Sequence, residues 1–184
     1  MQIHNTANKF GIVSKTLHWL VAILIIGAWI VGDYMVDLPD KDPVKFKLFD
    51  LHKSVGMVVL MLVIIRLSWR LYDGVPKSLG NSRIIQIAAN MVHFLLYVFM
   101  FIQPLSGWAM SSAAGYNTTL FGWFVFPGIV SKDPNMVETY VAIHNTSAMI
   151  LLVLFVLHVV GAITHHFIFK DNTLRRMTWG NKNY

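Results

Sequence analysis

The sequence predicts an all-α, integral membrane four-helix bundle. Three observations carry this. Of the 184 residues, 55% are hydrophobic and only 13% are charged. The mean hydropathy is +0.56, far above the balance of a soluble domain. Four apolar runs, at about 16–36, 52–72, 84–110 and 141–168, each reach the roughly 20 helical residues that a hydrocarbon layer requires.

The first run is too long for a signal-peptide core and leads into "GDYMVDLPD" instead of a small-residue cleavage site, so it is expected to be retained as helix 1. Helix 2 opens at "DLHKSVG", helix 3 runs through "ANMVHFLLY", and helix 4 through "SAMILLVLFVLHVVGAITHH". Between helices 3 and 4 the aromatic-rich stretch 115–135, "GYNTTLFGWFVFPGIVSKDPN", reads as an external loop lying in the membrane interface. No repeat or composition shift divides the chain, so 1–184 is read as one domain.

Charge sets the orientation. Ten of the fifteen Lys and Arg residues fall on the side of the N-terminus, the 2–3 connection and the C-terminus, while the opposite side holds five together with seven of the nine acids. By the positive-inside bias both termini are expected in the cytoplasm. The net charge of +6 is therefore membrane topology and not a nucleic-acid footprint. The chain has no cysteine, which excludes disulfides, thiolate clusters and covalently attached haem, so redox chemistry needs a cofactor held by other ligands.

The histidines give that cofactor a geometry. His52 opens helix 2 and His144 lies near the start of helix 4, both toward the external face; His18 and His158 lie toward the cytoplasmic face. Fourteen residues separate His144 from His158, which is about 21 Å of rise and about 40° short of four turns, so the two share one helix face at two depths. The arrangement suits two imidazole pairs, His52 with His144 and His18 with His158. Neutral imidazoles from facing helices supply both axial ligands of a porphyrin iron without placing net charge in lipid. His93 lies at a depth close to that of His158, so depth and face alone leave His18 and His93 as alternatives. Gly27, Gly32, Gly56 and Gly161 either let a flat macrocycle approach the backbone or only allow close helix packing.

"KTLHWL" (15–20), "DLHKSVGMVVLMLVIIRLSWR" (50–70), "AIHNTSA" (142–148), "VLHVVGAITHHF" (156–167) and "KDNTLRRM" (170–177) together resemble the bacterial cytochrome b561 family of di-haem inner-membrane proteins. The resemblance runs through nearly the whole chain. It implies two non-covalent haem b groups, with the ligand roles falling on His18, His52, His144 and His158, and a multi-pass protein of the bacterial inner membrane. It selects His18 over His93. His93 then remains either a further ligand or a hydrogen-bonding partner of a propionate or a neighbouring helix.

Other residues fall around these sites. Arg66 is also fourteen residues from its helix's ligand, His52, and Arg70 is one turn further; both are expected either to pair with propionates of the cytoplasmic haem or to snorkel to lipid headgroups. His165, seven residues beyond His158, continues the ligand stripe to the cytoplasmic surface. In the family the corresponding histidine is implicated in quinone binding, which implies that His165 bonds a ubiquinone carbonyl and relays its proton. His166 points about 100° away. Trp19, directly after a ligand, is the expected contact near the cofactor or quinone, while Trp69 and Trp179 read as interface anchors. His4 reads as a solvated tail residue.

The function implied is transmembrane electron transfer. Family members include superoxide oxidases, so the resemblance implies one-electron oxidation of external superoxide and reduction of ubiquinone near the cytoplasmic side. Lys45, Lys47 and Lys53 offer local attraction for the anion. The alternative is a cytochrome b subunit or quinol-linked reductase exchanging electrons with a periplasmic partner protein, since some relatives carry "FGWF" (here 121–124) and their genes accompany a periplasmic lipid- or isoprenoid-binding protein. A histidine-lined metal transporter would better suit carboxylates within the spans, which helices 2 to 4 almost lack in their interiors.

Overall fold

The computed structural model describes residues 2–79 and 82–178, so Trp179 lies outside the described residues. Four long helices make up the architecture: α1 (Ile12–Val36), α2 (Pro43–Asp73), α3 (Arg83–Ala113) and α4 (Val137–Phe167). Each is long and apolar enough to cross a membrane. Three of them have 31 residues, about 46 Å of helix, against a hydrocarbon layer of about 30 Å. The helices therefore continue past the apolar runs into polar sequence. The largest extension is in α2, which begins at Pro43: the Asp42 side chain accepts from the Val44 N–H at 2.8 Å, and Pro43 occupies the first helical position, where no N–H is missed.

The 115–135 stretch is not all loop. It holds an antiparallel hairpin of β1 (Thr118–Leu120) and β2 (Phe124–Phe126), with Thr119 opposite Val125. Phe121 and Gly122 turn the chain at positive φ, 51° and 77°. Ser54 of α2 pins the hairpin by donating to the Thr119 carbonyl at 2.9 Å and accepting from the Phe121 N–H at 3.0 Å. The physical signal was a turn glycine between short β-branched and aromatic runs, masked by its position between two membrane spans.

At the bundle centre Val21, Val59, Val63, Met100 and Leu151 form one buried cluster drawn from all four helices. Leu151 lies seven residues from both His144 and His158, so this apolar layer sits between the two histidine depths. Outward faces carry Ile23, Ile30, Ile64, Val153 and Val160, all exposed, as lipid-facing helices require.

The described N-terminal and C-terminal segments lie at the end of the bundle opposite the hairpin. The Lys77 N–H donates to the Ala7 carbonyl at 2.9 Å, Lys15 Nζ to the Thr178 carbonyl at 2.9 Å, and Arg176 Nη1 to the Lys77 carbonyl at 2.7 Å. The N-terminal segment, the α2–α3 connection and the C-terminal segment are thereby tied into one cap. A Cβ on Gly11 would fall 2.1 Å from the Ile3 carbonyl oxygen, so only glycine lets the N-terminal segment fold back here. His4 is accordingly no free tail residue. It bonds Asp73 at 2.7 Å and stacks on Trp69 with ring centres 5.4 Å apart, which makes Trp69 a docking surface for the N-terminal segment in place of the expected lipid anchor.

Candidate functional site

The structure brings the four predicted ligands together in two pairs. At the hairpin end the rings of His52 (α2) and His144 (α4) face each other with centres 6.1 Å apart; at the termini end those of His18 (α1) and His158 (α4) are 6.0 Å apart. Two metal–imidazole bonds of about 2 Å, with about 1 Å from each nitrogen to its ring centre, span about 6 Å. Both pairs therefore fit an iron held between them. Among the described residues no group of three or more His, Cys, Asp or Glu side chains is placed to hold a metal ion. Each pair offers two nitrogens, the number that a porphyrin iron requires from protein.

The hairpin-end pair is set in neutral polar groups. His144 Nδ1 lies 3.0 Å from the Gln103 carbonyl and 3.1 Å from Ser106 Oγ, so Nδ1–H donates and Nε2 keeps its lone pair, the tautomer a ligand needs. Gln103 Nε2 donates to that lone pair at 3.0 Å, and Ser147 Oγ donates to Gln103 Oε1. The His52 ring is buried against the backbone of Ala28 in α1, which approaches it as a hydrogen-bond acceptor. A Cβ on Gly107 would meet His144 Cε1 at 3.0 Å, and one on Gly32 would meet His52 Cε1 at 3.1 Å. These two glycines let the imidazoles approach neighbouring helices closely. Gly27, Gly56 and Gly161 differ, because a Cβ on any of them meets nothing within 4 Å; close helix packing does not require them.

The termini-end pair is set among cations. Arg66 Nη2 donates to His18 Nδ1 at 2.8 Å, the opposite tautomer to that of His144. The Arg66 and Arg70 guanidinium carbons lie 5.4 and 5.8 Å from the centre of the Tyr97 ring, within cation–π range. Arg70 thus turns inward over an aromatic face, not outward to headgroups. His93 (α3) is also here, its ring centre 5.1 Å from that of His158, about 1 Å closer than the separation shared by the other two pairs. His93 and Arg70 also line a cavity of about 400 Å³ between α2 and α3, with Asn90 and Tyr97 beside Phe94, Val98 and Phe101.

Trp19 packs edge-on against His18 at 5.3 Å and donates its indole N–H to the Met177 carbonyl at 2.8 Å, tying the ligand helix to the C-terminal segment. His165, one layer further out, bonds Asp171 through Nδ1 at 2.5 Å. Burial pushes the Asp171 carboxyl up, but hydrogen bonds from Thr173 and His165 outweigh it and hold the group below the ordinary carboxylate range. Nδ1–H faces the carboxylate, which leaves Nε2 of His165 as the nitrogen that can bind a partner. His166 Nδ1 is buried without a bonding partner, its ring edge-on to Phe167. Near His52, Lys53 binds Asp50 at 2.9 Å, while Lys45 binds Asp40 at 2.8 Å. Those two lysines are thus largely compensated as attractors for an anion.

The family model of prokaryotic cytochrome b561 matches residues 9–180. The chain belongs to this family. It is 36% identical over 178 residues to cytochrome b561 homolog 2 of Escherichia coli K12, covering 96% of this chain and 95% of that protein. It is 28% identical over 170 residues to a protein of Yersinia pestis named probable superoxide oxidase CybB, with 92% and 95% covered, and 27% identical over 171 residues to cytochrome b561 homolog 1 of Escherichia coli K12, with 92% and 97% covered. The chain is accordingly a haem b-binding oxidoreductase of membrane electron transfer, a multi-pass protein of the bacterial inner membrane.

Of the residues around the pairs, Gln103, Ser106, Ser147, Gly107 and Asp171 were not anticipated. Gln103 had a signal: it is an amide inside an apolar span, next to Pro104, and intramembrane polar groups are functional candidates by default.

Proposed function

We propose that this cytochrome b561 carries electrons across the membrane through two haem b groups, one ligated by His52 and His144 at the hairpin end and one by His18 and His158 at the termini end. The observation that carries this reading is the pair of facing imidazoles at each end, equal in spacing to within 0.1 Å and separated by the central apolar layer. Haem supplies reversible one-electron chemistry at each level when bound. With the basic termini end assigned to the cytoplasm, the hairpin end faces outward and takes electrons from superoxide, each superoxide leaving as O₂. At the inner end His165 meets ubiquinone, which becomes quinol with two electrons and two protons. His165, protonated on both nitrogens from the cytoplasmic side, donates its Nε2–H to a quinone carbonyl and hands over that proton, while Asp171, facing Nδ1–H, orients the ring and balances its charge. His93, on this reading, is a hydrogen-bonding neighbour of the inner ligand.

A second reading, electron exchange with an external partner protein, is favoured by the hairpin tip. Trp123 is 95% exposed there, beside exposed Phe121 and Phe124, an aromatic surface of the type enriched at protein interfaces. The name of the Yersinia relative favours the first reading. Stopped-flow mixing of the purified haem-loaded protein with superoxide, with and without a quinone analogue, separates them. Fast haem reduction followed by quinone-dependent reoxidation is the expected result; haems inert to superoxide would transfer the outer step to a partner protein.

A further inference from the structure

We infer that the termini-end haem is the higher-potential centre and that Arg66 sets this order, which gives electrons a downhill direction from the hairpin end to the termini end. The inference rests on the di-haem reading above and adds to it the direction of the driving force.

The two levels differ in formal charge. Around His18 and His158 stand two half-buried guanidinium groups, Arg66 and Arg70, stacked on the shared Tyr97 ring, and neither takes part in an ion pair among the described residues. The acids of this end are engaged elsewhere, Asp73 with His4 and Asp171 with His165. Around His52 and His144 the partners are an amide, a backbone carbonyl and two hydroxyls, and the adjacent Lys53 is paired with Asp50. Reduction adds one negative charge to an iron centre, so an uncompensated cation nearby favours the reduced form, more strongly where water is excluded.

The surroundings of Nδ1 act in the same sense. At His144 an N–H donates to the Gln103 carbonyl, which makes the imidazole a better electron donor and favours the oxidised metal. At His18 the same atom faces the Arg66 guanidinium and bonds no backbone carbonyl among the described residues, so its ring has no such enhancement. A neutral imidazole that ligates through Nε2 carries its proton on Nδ1, so on loading Arg66 has to release His18 and turn to another acceptor, for which a haem propionate has the matching planar geometry. Its charge stays at this level on either partner, because its stem is fixed on α2 beside Tyr97. Removing it takes away a cation that favours reduction or leaves a carboxylate uncompensated, and both lower the potential.

Potentiometric titration of the haem-loaded protein tests this, with pyridine haemochrome counting alongside. Two haems per chain and two one-electron steps are expected, the upper step disappearing in His158→Ala and the lower in His144→Ala. Arg66→Leu should shift the upper step down by at least tenfold in the ratio of reduced to oxidised haem at fixed potential, about 59 mV for a one-electron couple. The lower step should stay within a small fraction of that, and Arg66→Lys should restore most of the shift. Should Arg66→Leu lose haem, the assignment of the two steps by the ligand variants still decides the order. One haem per chain would sink the di-haem reading and this inference with it. Two haems with the upper step lost in His144→Ala, or an upper step unmoved in Arg66→Leu, would overturn this inference alone.

Discussion

At the hairpin end a histidine donates its Nδ1–H to a backbone carbonyl, whereas at the termini end a histidine accepts a hydrogen bond from a guanidinium on the same atom. The two ends of one bundle thus present the same pair of imidazoles, at the same separation, in opposite electrostatic settings. The difference follows from what each end must do in the proposed scheme. The outer pair needs only to pass on single electrons, and its surroundings are a fixed set of neutral bonds. The inner pair must draw electrons across and deliver them with protons. It has cations beside it and a histidine–carboxylate dyad, His165 and Asp171, one layer outside. In the proposed scheme spacing is shared because ligation is shared, and charge differs because the direction of flow is built in.

The largest effects should come from the ligands. His144→Ala and His158→Ala are each expected to lose one haem and retain the other, because about 21 Å of helix separates them; pyridine haemochrome counting of each variant checks this. Loss of both haems from either variant would mean that the ends are not independent, and the comparison would fail. His93→Leu should keep two haems by the same count. If it lost one while His18→Ala lost none, the inner pairing would pass to His93.

Next comes His165→Ala, expected to keep both haems and their reduction from outside while slowing reoxidation by quinone about ten- to a hundredfold, the equivalent of roughly 1–3 kcal/mol for a lost polar partner. His166→Ala is the control and should be milder. Asp171→Asn should cost less than His165→Ala, up to about tenfold, since its amide oxygen still accepts from Nδ1. The pH dependence has a definite sign. The Asp171 carboxyl is held below its ordinary range, so its contribution is complete above the unfolded carboxylate pKa and is lost as pH falls through the depressed folded value. The gap between the unsubstituted protein and Asp171→Asn should therefore persist through the ordinary carboxylate range and close only below it.

Smaller still is Gly107→Ala. Its new methyl at 3.0 Å from His144 Cε1 must push the imidazole aside, an overpacking cost of about 1–3 kcal/mol, read as weaker retention of the hairpin-end haem alone. Smallest is His4→Ala, which frees the N-terminal segment from a hydrogen bond to Asp73 whose histidine is largely exposed. A slight fall in melting temperature with unchanged haem content is expected.

Helical periodicity encodes the depth and face of a residue within its own helix, which is why the fourteen-residue spacing of His144 and His158 was readable and why the four spans were placed correctly at their apolar centres. It does not encode how one helix is rotated against the next. His18 and His93 were therefore indistinguishable by depth and face, and the contact of Gly107 with His144 was invisible. Arg66 was placed at the right depth, but its hydrogen bond to His18 depends on the azimuth of α2 relative to α1. His4 with Asp73, sixty-nine residues apart, illustrates the other gap: the cap at the termini end is built from irregular segments whose partners no periodicity links. The hairpin was hidden for a third reason, since a short aromatic run between two spans has the same composition as an interfacial loop.

The central claim, a division of labour between an outer entry and an inner exit, is tested most directly by stopped-flow on the two single-haem variants. His158→Ala, holding only the hairpin-end haem, should still be reduced rapidly by superoxide yet fail to be reoxidised by quinone. His144→Ala, holding only the termini-end haem, should be unreactive to superoxide but exchange electrons with the quinone pool through His165. The reverse pattern, with superoxide reducing the haem of His144→Ala and quinone reoxidising that of His158→Ala, would contradict the account.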